Sequence, residues 1–227
     1  MSQSNTAKKH VRIDIVSDVV CPWCVIGYKR LEKALSTMDS EIEAEIHWHP
    51  FELNRKMPEG GENLRAHLAA KYGTTLEGSI RARANLTELG AELGFRFDYF
   101  DEMKMFNTFK AHQLLHYARE YAREQGKETE LKLRLFSAFF GERKEIDQNE
   151  VLVAEAVAVG LDEGECRALL SDGRFADAVR TEQVTWLNRG VHAVPTFVLN
   201  GERAISGAHE VSAMQQMLES CAQQIES

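Results

Sequence analysis

Two cysteines three positions apart, Cys21 and Cys24, are the side chains of this chain best suited to covalent chemistry. They enclose Pro22 and Trp23 and lie between an alternating apolar run, residues 11–16, and an amphipathic segment. A Cys-x-x-Cys pair between a strand and the start of a helix is typical of a redox-active dithiol. The sequence therefore predicts thiol–disulfide exchange.

The predicted helix N-terminus assigns different roles to the two thiols. Pro22 suits the first helical position because its missing N–H needs no partner there, and this places Cys21 at the N-cap. Free amides and the helix dipole would then lower the pKa of the Cys21 thiol. Cys24 lies one turn further along on the same face. We expect Cys21 to be the nucleophile and Cys24 the resolving thiol.

A metal site and a purely structural pair are the alternatives for this motif. A zinc site needs about four ligands, and no second Cys-x-x-Cys motif is present. The other cysteines, Cys166 and Cys221, are far apart in the sequence. We expect no metal, and we expect these two cysteines to pack on helices as small hydrophobic side chains.

Composition argues against several other classes of protein. The chain has 227 residues, of which 44% are hydrophobic and 27% charged, as in ordinary globular proteins. Its net charge of −8 and the absence of a basic block argue against nucleic acid as a partner. Residues 1–10 form a polar segment that we expect to be a disordered tail, without the apolar stretch of a signal peptide. No apolar run has the length of a membrane span, so we expect no membrane association and a cytoplasmic location.

Strand and helix signals at the two ends of the chain favour an α/β fold. A strand over residues 11–16, a helix over 22–36 and a second strand over 42–50 form a right-handed β-α-β unit. Near the other end, Asn-Gly marks a two-residue hairpin turn within residues 196–206. A closing helix over residues 211–225 completes a β-β-α unit.

The middle of the chain has a different pattern, because nearly all of residues 62–190 is predicted to be helical. The order of elements predicts a thioredoxin fold with an all-helical domain inserted between its β-α-β and β-β-α halves. Residues 11–61 and 191–227 would form the thioredoxin-like domain. Residues 62–190 would form the inserted domain.

Several different short motifs are spread along most of the chain: Ser17-Asp18; Cys21-Pro22-Trp23-Cys24 with Gly27; Phe51 and Leu53 with Pro58 and Gly60; Asn107-Thr108 with Ala111-His112; Gly190-Val191; Val194-Pro195-Thr196-Phe197; and Ile205-Ser206-Gly207-Ala208. Together they resemble the FrnE-like branch of the DsbA family of thiol–disulfide oxidoreductases. The resemblance spans residues 11 to 220. The branch is related to 2-hydroxychromene-2-carboxylate isomerase and to kappa-class glutathione transferases.

The resemblance implies a substrate-binding edge beside the dithiol. It implies that Pro195 follows a cis peptide bond and that Val194, Pro195 and Thr196 hold an extended substrate. Pro22 and Trp23 belong to the same predicted set, although the Trp23 indole could equally pack against the protein. Periplasmic DsbA has a His in place of Trp23, so we expect this uncharged dithiol to be a weaker oxidant.

The same relatives imply a role for glutathione. The isomerase and kappa-class enzymes have Ser where this chain has Cys21, and they use that hydroxyl to position the thiol of glutathione. Two cysteines favour exchange chemistry here, with no required cofactor and with glutathione as a candidate co-substrate. The kappa-class relatives also give the expectation of a homodimer.

Four further polar residues are candidates for cleft lining or proton transfer: Asp18, Asn107, His112 and His209. Asp18 would relay a proton to or from Cys24, and the alternative for it is a solvated loop acid or a helix cap. His47 and His49 share one side of the second strand, which we expect to be an exposed polar face.

Three functions remain open at this stage. The preferred one is a cytosolic oxidoreductase that acts as reductase or isomerase on a protein or small molecule with a disulfide or thiol. A glutathione-dependent isomerase or transferase of a small aromatic is the first alternative. The second is a non-enzymatic holdase with a groove of aromatic and Met side chains. Those side chains could instead be core between the inserted domain and the sheet: Phe95, Phe97, Tyr99, Phe100, Met103, Met105, Phe106 and Phe109.

Overall fold

A computed structural model describes residues 8–121 and 126–224. Along the chain it contains β1 (Lys9–Ser17), α1 (Pro22–Thr37), β2 (Ile42–Pro50), β3 (Glu62–Asn63), α2 (Leu64–Tyr72), α3 (Leu76–Glu92), β4 (Lys104–Met105), α4 (Phe109–Tyr121), α5 (Lys127–Phe136), a π-helical turn (Ser137–Gly141), α6 (Asn149–Ala158), α7 (Glu163–Asp172), α8 (Ala176–Asn188), β5 (Thr196–Leu199), β6 (Arg203–Ser206) and α9 (Val211–Gln224).

The central sheet has four strands in the order β2-β1-β5-β6. β1 pairs with β2 in parallel and with β5 in antiparallel fashion, and β6 pairs antiparallel to β5. The first and last parts of the chain therefore meet at β1. This confirms the predicted thioredoxin fold, with its β-α-β and β-β-α halves joined into one sheet.

Helices α1 and α9 pack together on one face of this sheet. That face carries the fully buried side chains Ile13, Ile15, Phe197 and Leu199. On the opposite face, Val16 and Val198 pack with Trp186 of α8. Helices cover both faces of the sheet, so the side chains that point to either face of a strand are buried, as is usual for parallel pairs.

The inserted domain consists mainly of helices α2–α8. It also contains the short antiparallel pair β3–β4, in which Glu62 lies opposite Met105, so the all-helical prediction is wrong at this point. None of the helices in the two described ranges combines the length and the apolar character that a membrane span requires.

The aromatic and Met cluster belongs to the hydrophobic core. Phe95, Phe97 and Phe106 are at most 8% exposed. The Phe97 ring centroid lies 5.1 Å from that of Phe140, and Phe106 packs edge-on to Phe139. The cluster thus lies largely within the inserted domain, where Phe100, Met103 and Phe106 also line part of a surface pocket together with charged side chains such as Glu102 and Lys104.

Two predicted boundaries differ from the structure. β1 begins at Lys9, because its first residues pair with the start of β2, so residues 9 and 10 do not belong to a tail. Lys8 precedes the strand without regular structure, and residues 1–7 of the predicted tail and Ile225 of the closing helix lie outside the described residues. In the hairpin, Asn200 and Gly201 have φ values of 48° and 74°. The turn is where it was predicted, but β6 begins one residue later, at Arg203.

Candidate active site

Cys21 is the N-cap of α1, with φ −93° and ψ 110°, and Pro22 begins the helix. The Cys21 side chain makes no capping hydrogen bond. Its Sγ instead lies 3.8 Å from the carbonyl oxygen of Val194. The predicted position is correct, and the backbone amide of Cys24 acts on the sulfur in the predicted direction, although other contributions outweigh it.

The two thiols are close and electrostatically coupled. A hydrogen bond to Cys24, followed by burial, holds the pKa of the Cys21 thiol above its ordinary value. Burial alone would raise the pKa of Cys24, but the neighbouring side chains of Cys21 and Ser17 lower it below its ordinary value. The sequence predicts a lowered pKa at Cys21, whereas in this closed dithiol the lowered pKa belongs to its partner Cys24.

Pro195 lies against α1 through Gly27. The Val194–Pro195 bond is cis, as the resemblance implied. A Cβ atom on Gly27 would lie 3.1 Å from Pro195 and 3.1 Å from Phe197. The absence of a side chain at Gly27 therefore lets the helix that carries the dithiol approach the loop before β5.

The other residues of the predicted substrate edge have unequal exposure. Trp23 is 43% exposed, beside the buried cysteines, and Val194 presents its carbonyl to Cys21. Thr196 is buried, and its hydroxyl bonds the Ala193 carbonyl and Ser206 at 2.8 and 2.7 Å. Thr196 therefore braces the loop internally.

Asp18 and His112 form a buried polar pair behind the dithiol. Asp18 is fully buried and accepts a hydrogen bond from the Leu53 amide at 2.8 Å. His112 Nε2 lies 2.9 Å from the Phe51 carbonyl and 3.3 Å from Asp18 Oδ1. The alternative of a solvated loop acid is wrong, and a proton relay through Asp18 stays a prediction.

The remaining candidates, Asn107 and His209, bind backbone groups. Asn107 accepts from the Phe109 amide at the start of α4 and donates to the Met57 carbonyl. His209 Nε2 donates to the Ser206 carbonyl at 2.9 Å. Both hydrogen-bond patterns stabilise loops.

His49 belongs to a buried charge network, so the predicted exposed histidine face is wrong for both His47 and His49, which are 6% and 8% exposed. His49 lies 2.7 Å from Asp14 and 2.5 Å from Glu182, and Arg119 donates to both Glu182 oxygens. Burial opposes a charge on His49, but the two carboxylates outweigh it and raise its pKa.

Three further residues near the dithiol are not among the site residues that the sequence predicts: Ser17, Tyr99 and Lys132. Ser17 and Tyr99 have buried hydroxyls without a hydrogen-bond partner among the described residues. Burial, and then the charge of Cys21, raise the pKa of Tyr99. Lys132 is 1% exposed. A lysine four residues before Phe136 in an otherwise apolar stripe was the available signal for it.

The other two cysteines lie in buried surroundings that suit a structural role. Cys166 on α7 and Cys221 on α9 are buried, as predicted. Burial raises the pKa of Cys166 to about 11, which makes its thiol a poor nucleophile. In the part of the chain that the structure describes, no three His, Cys, Asp or Glu side chains are arranged to hold a metal ion.

A sequence model of the family described as "DSBA-like thioredoxin domain" matches residues 12–219. The chain belongs to this family. It is 31% identical over 199 residues to "Uncharacterized protein YwbO" of Bacillus subtilis (strain 168), covering 87% of this chain and 90% of that one.

Solved structures agree with this family. A probable DsbA oxidoreductase, SCO1869 from Streptomyces coelicolor, superposes with a TM-score of 0.85 at 32% identity and covers 93% of this chain and 90% of its own. The cytosolic disulfide reductase DsbM from Pseudomonas aeruginosa has a TM-score of 0.63 at 19% identity, over 92% of this chain and 97% of its own. At that identity the second similarity concerns the fold.

Proposed function

We propose that this DsbA-family protein is a thiol–disulfide oxidoreductase that works mainly as a reductase or isomerase in the cytoplasm. The observation that carries the proposal is the Cys21–Cys24 pair at the start of α1, with Cys21 directed at the Val194 carbonyl beside Pro195. Family membership and the similarity to a cytosolic disulfide reductase support it.

The exchange runs in two steps. The Cys21 thiolate, whose proton passes to Cys24, attacks a substrate disulfide, and one substrate sulfur leaves as a thiolate that takes up a proton. Cys24 then loses its proton and attacks Cys21 Sγ, so that the bond between Cys21 and the substrate breaks and the second substrate thiol leaves. The substrate gains two electrons, and the protein retains a Cys21–Cys24 disulfide.

Substrate binding is assigned to the surface around Cys21. Backbone groups at Val194 would hold an extended segment of a protein or small molecule beside the sulfur. The exposed Trp23 indole would cover one side of that segment. Glutathione is proposed as the co-substrate that reduces the disulfide of the enzyme.

Substitution of each cysteine tests the assignment of roles. Cys21→Ser is expected to abolish reduction of insulin disulfides, because the nucleophile is lost. Cys24→Ser is expected to accumulate mixed disulfides, because attack survives without resolution. Cys166→Ser is the matched control, since it removes a buried thiol far from the motif in sequence. Equal trapping by Cys21→Ser and Cys24→Ser would contradict the roles. Retention of glutathione without any disulfide turnover would indicate the isomerase or transferase alternative.

A further inference from the structure

Two polar groups near Cys24, the Ser17 hydroxyl and the Lys132 ammonium, have no role in the two exchange steps given above. Ser17, the last residue of β1, is fully buried, and its hydroxyl oxygen has no hydrogen-bond partner among the described residues, although it is near enough to Cys24 to lower the pKa of that thiol. A buried hydroxyl without a partner is unfavourable. It becomes satisfied when an acceptor forms beside it, and the Cys24 thiolate is such an acceptor.

Lys132 of α5 is the second group. Its Nζ lies 5.2 Å from the ring centroids of both Trp48 and Phe136, and the residue is 1% exposed. Burial lowers its pKa to about 8, while nearby negative charge on Cys24 and Asp18 favours the ammonium form. Trp48 packs in turn against Tyr28 of α1, the helix that carries the dithiol, so Lys132 approaches that helix from the inserted domain.

The charged groups around this site come from several elements. Cys21 and Cys24 belong to α1, Asp18 precedes that helix, and Glu128 lies one turn before Lys132 on α5. A small cavity next to Lys132 is lined from other elements by His49, His112, His116, Arg119 and Glu182. Arg119 and His49 are both engaged by Glu182, whereas the charge of Lys132 acts on Cys24.

The need for these groups is greatest in the mixed disulfide. In the dithiol, Cys21 donates a hydrogen bond to the Cys24 thiolate. Once Cys21 is bonded to substrate, that donor is lost. The Ser17 hydroxyl, the Asp18 backbone amide and the Lys132 charge then remain to stabilise the sulfur anion.

We propose that Ser17 and Lys132 are positioning residues that hold Cys24 as a thiolate in the mixed disulfide and so speed release of the substrate. The inference rests on the proposed exchange reaction and concerns its second step. In that step the Cys24 thiolate forms a bond to Cys21 Sγ, the bond from Cys21 to the substrate sulfur breaks, and the electron pair leaves on the substrate sulfur, which takes a proton from water.

The direct test is the pKa of Cys24 in a Cys21→Ala background, which lacks the Cys21 donor as the mixed disulfide does. Thiolate absorbance against pH gives this pKa. Ser17→Ala and Lys132→Met are each expected to raise it by about one unit or more, because hydrogen bonds and charges acting on a buried anion are strong. Ser137→Ala and Lys127→Met, on or next to α5, are the matched controls and should leave it unchanged.

The kinetic test uses the wild-type dithiol and Ellman's reagent. Attack by Cys21 and resolution by Cys24 each release one thionitrobenzoate, so stopped-flow absorbance separates two phases. For each unit by which the Cys24 pKa rises, the second phase should slow about threefold at pH values below that pKa. The thiolate fraction falls tenfold there, whereas nucleophilicity increases with a Brønsted coefficient of about 0.4–0.5. At pH values far above the Cys24 pKa of both wild type and variant, the second phase should be faster in the variants. A variant whose structure is only loosened would not show this crossover.

The outcomes separate this inference from the proposed function. An unshifted Cys24 pKa in both variants overturns the inference, whatever the turnover with insulin. An unshifted value in one variant removes that residue from the assignment. Shifted pKa values in a protein whose wild type releases only one thionitrobenzoate and reduces no disulfide would instead overturn the proposed function.

Discussion

At the scale of single residues, the side chain at position 23 determines whether a charge within the motif itself stabilises the thiolate. Trp23 is exposed and uncharged, so it offers the thiolate no charge. We therefore expect a weaker oxidant than DsbA, whose potential is about −120 mV. A cytosol at roughly −220 to −320 mV would then keep the pair mostly reduced.

Replacement of this tryptophan tests that explanation. Trp23→His is expected to raise the reduction potential and to lower the thiolate pKa of the pair together, because both follow from stabilising the reduced form. Trp23→Phe, which removes the indole without adding charge, should change neither. Equilibration with a glutathione buffer and thiolate absorbance measure the two quantities. A wild-type potential at or above that of DsbA would contradict the argument, as would a histidine variant in which only one quantity moves.

Lys132 gives a second prediction at this scale, on stability. Its pKa is lowered from 10.5 to about 8 by burial. A group whose pKa falls on folding contributes stability above its unfolded pKa, and that contribution is lost as the pH falls to the folded value. Lys132→Met is therefore expected to be more stable than wild type, by an amount that increases from pH 10.5 down to pH 8 and is constant below.

The limiting gain is roughly 3 kcal/mol, since one pKa unit corresponds to 1.36 kcal/mol. Urea unfolding at several pH values measures it. Lys127→Met, at a partly exposed site on the same helix where the lysine pairs with Glu130, should stay within about 0.5 kcal/mol of wild type at every pH. A Lys132→Met variant that is less stable than wild type at pH 7 would show that the ammonium is a net stabilising group.

At the scale of elements, the contact between α1 and the loop before β5 depends on Gly27. An added methyl group would meet both Pro195 and Phe197 at 3.1 Å. Gly27→Ala is therefore expected to destabilise the protein by about 1–3 kcal/mol through overpacking. Because Pro195 must move, turnover of insulin should fall more than turnover of a small disulfide.

A glycine elsewhere provides the control for this prediction. Gly164 lies in the first turn of α7, where a methyl group would approach only the Asp162 side chain. Gly164→Ala should be neutral or slightly stabilising, as expected for alanine in a helix. Equal losses on both disulfide substrates for Gly27→Ala would show that the substitution affects the dithiol itself instead of the substrate edge.

The elements themselves were largely predictable, because local signals agree with tertiary structure at both ends of the chain. Pro22 gives the start of α1, and Asn200-Gly201 gives the hairpin turn. The side chains that each element buries were less predictable. On α3 the helical spacing of Ile80, Ala84, Leu89 and Leu93 predicts an apolar stripe, yet Ile80 is 53% exposed. The helix instead packs through Gly90, where a Cβ would lie only 2.5 Å from the Phe97 ring.

The residues of the candidate site likewise differ in how well the sequence predicts them. The cysteines and Pro195 could be located because motif and order of elements determine them. His49 could not, since a polar residue on a strand gives no sign that partners from distant helices will surround it. Lys132 was missed for a similar reason, because one lysine in an apolar stripe resembles a surface position until α5 is seen against Trp48.

At the scale of the whole molecule, Glu182 connects the sheet with two helices of the inserted domain. Its carboxylate, on α8, contacts His49 of β2 together with His116 and Arg119 of α4. Burial alone would raise the pKa of Glu182, but these partners hold it far below its ordinary value. The charge network therefore helps to fix the orientation of the sheet against the helices.

Glu182→Gln is expected to lower the free energy of unfolding at pH 7 by roughly 3 kcal/mol, because a buried cationic cluster loses its counter-ion. A carboxyl whose pKa falls on folding contributes stability above its unfolded pKa of 4.5, and loses that contribution at lower pH. The difference from wild type should therefore shrink as the pH falls below 4.5. Glu219→Gln, at an exposed site on α9, is the control. A difference that is independent of pH would exclude the carboxylate charge as its cause.

The pairing of β1 with β5 also determines when the protein can mature during synthesis. These strands are separated by about 180 residues, a long-range contact of the kind that forms late. At about 5–20 residues per second, the ribosome needs roughly 10 to 35 seconds to make that intervening chain. Throughout this interval the dithiol exists without the Val194 carbonyl opposite Cys21. The nascent chain therefore carries two unprotected thiols, and any disulfide they form with a neighbour must be reversed before the sheet can close.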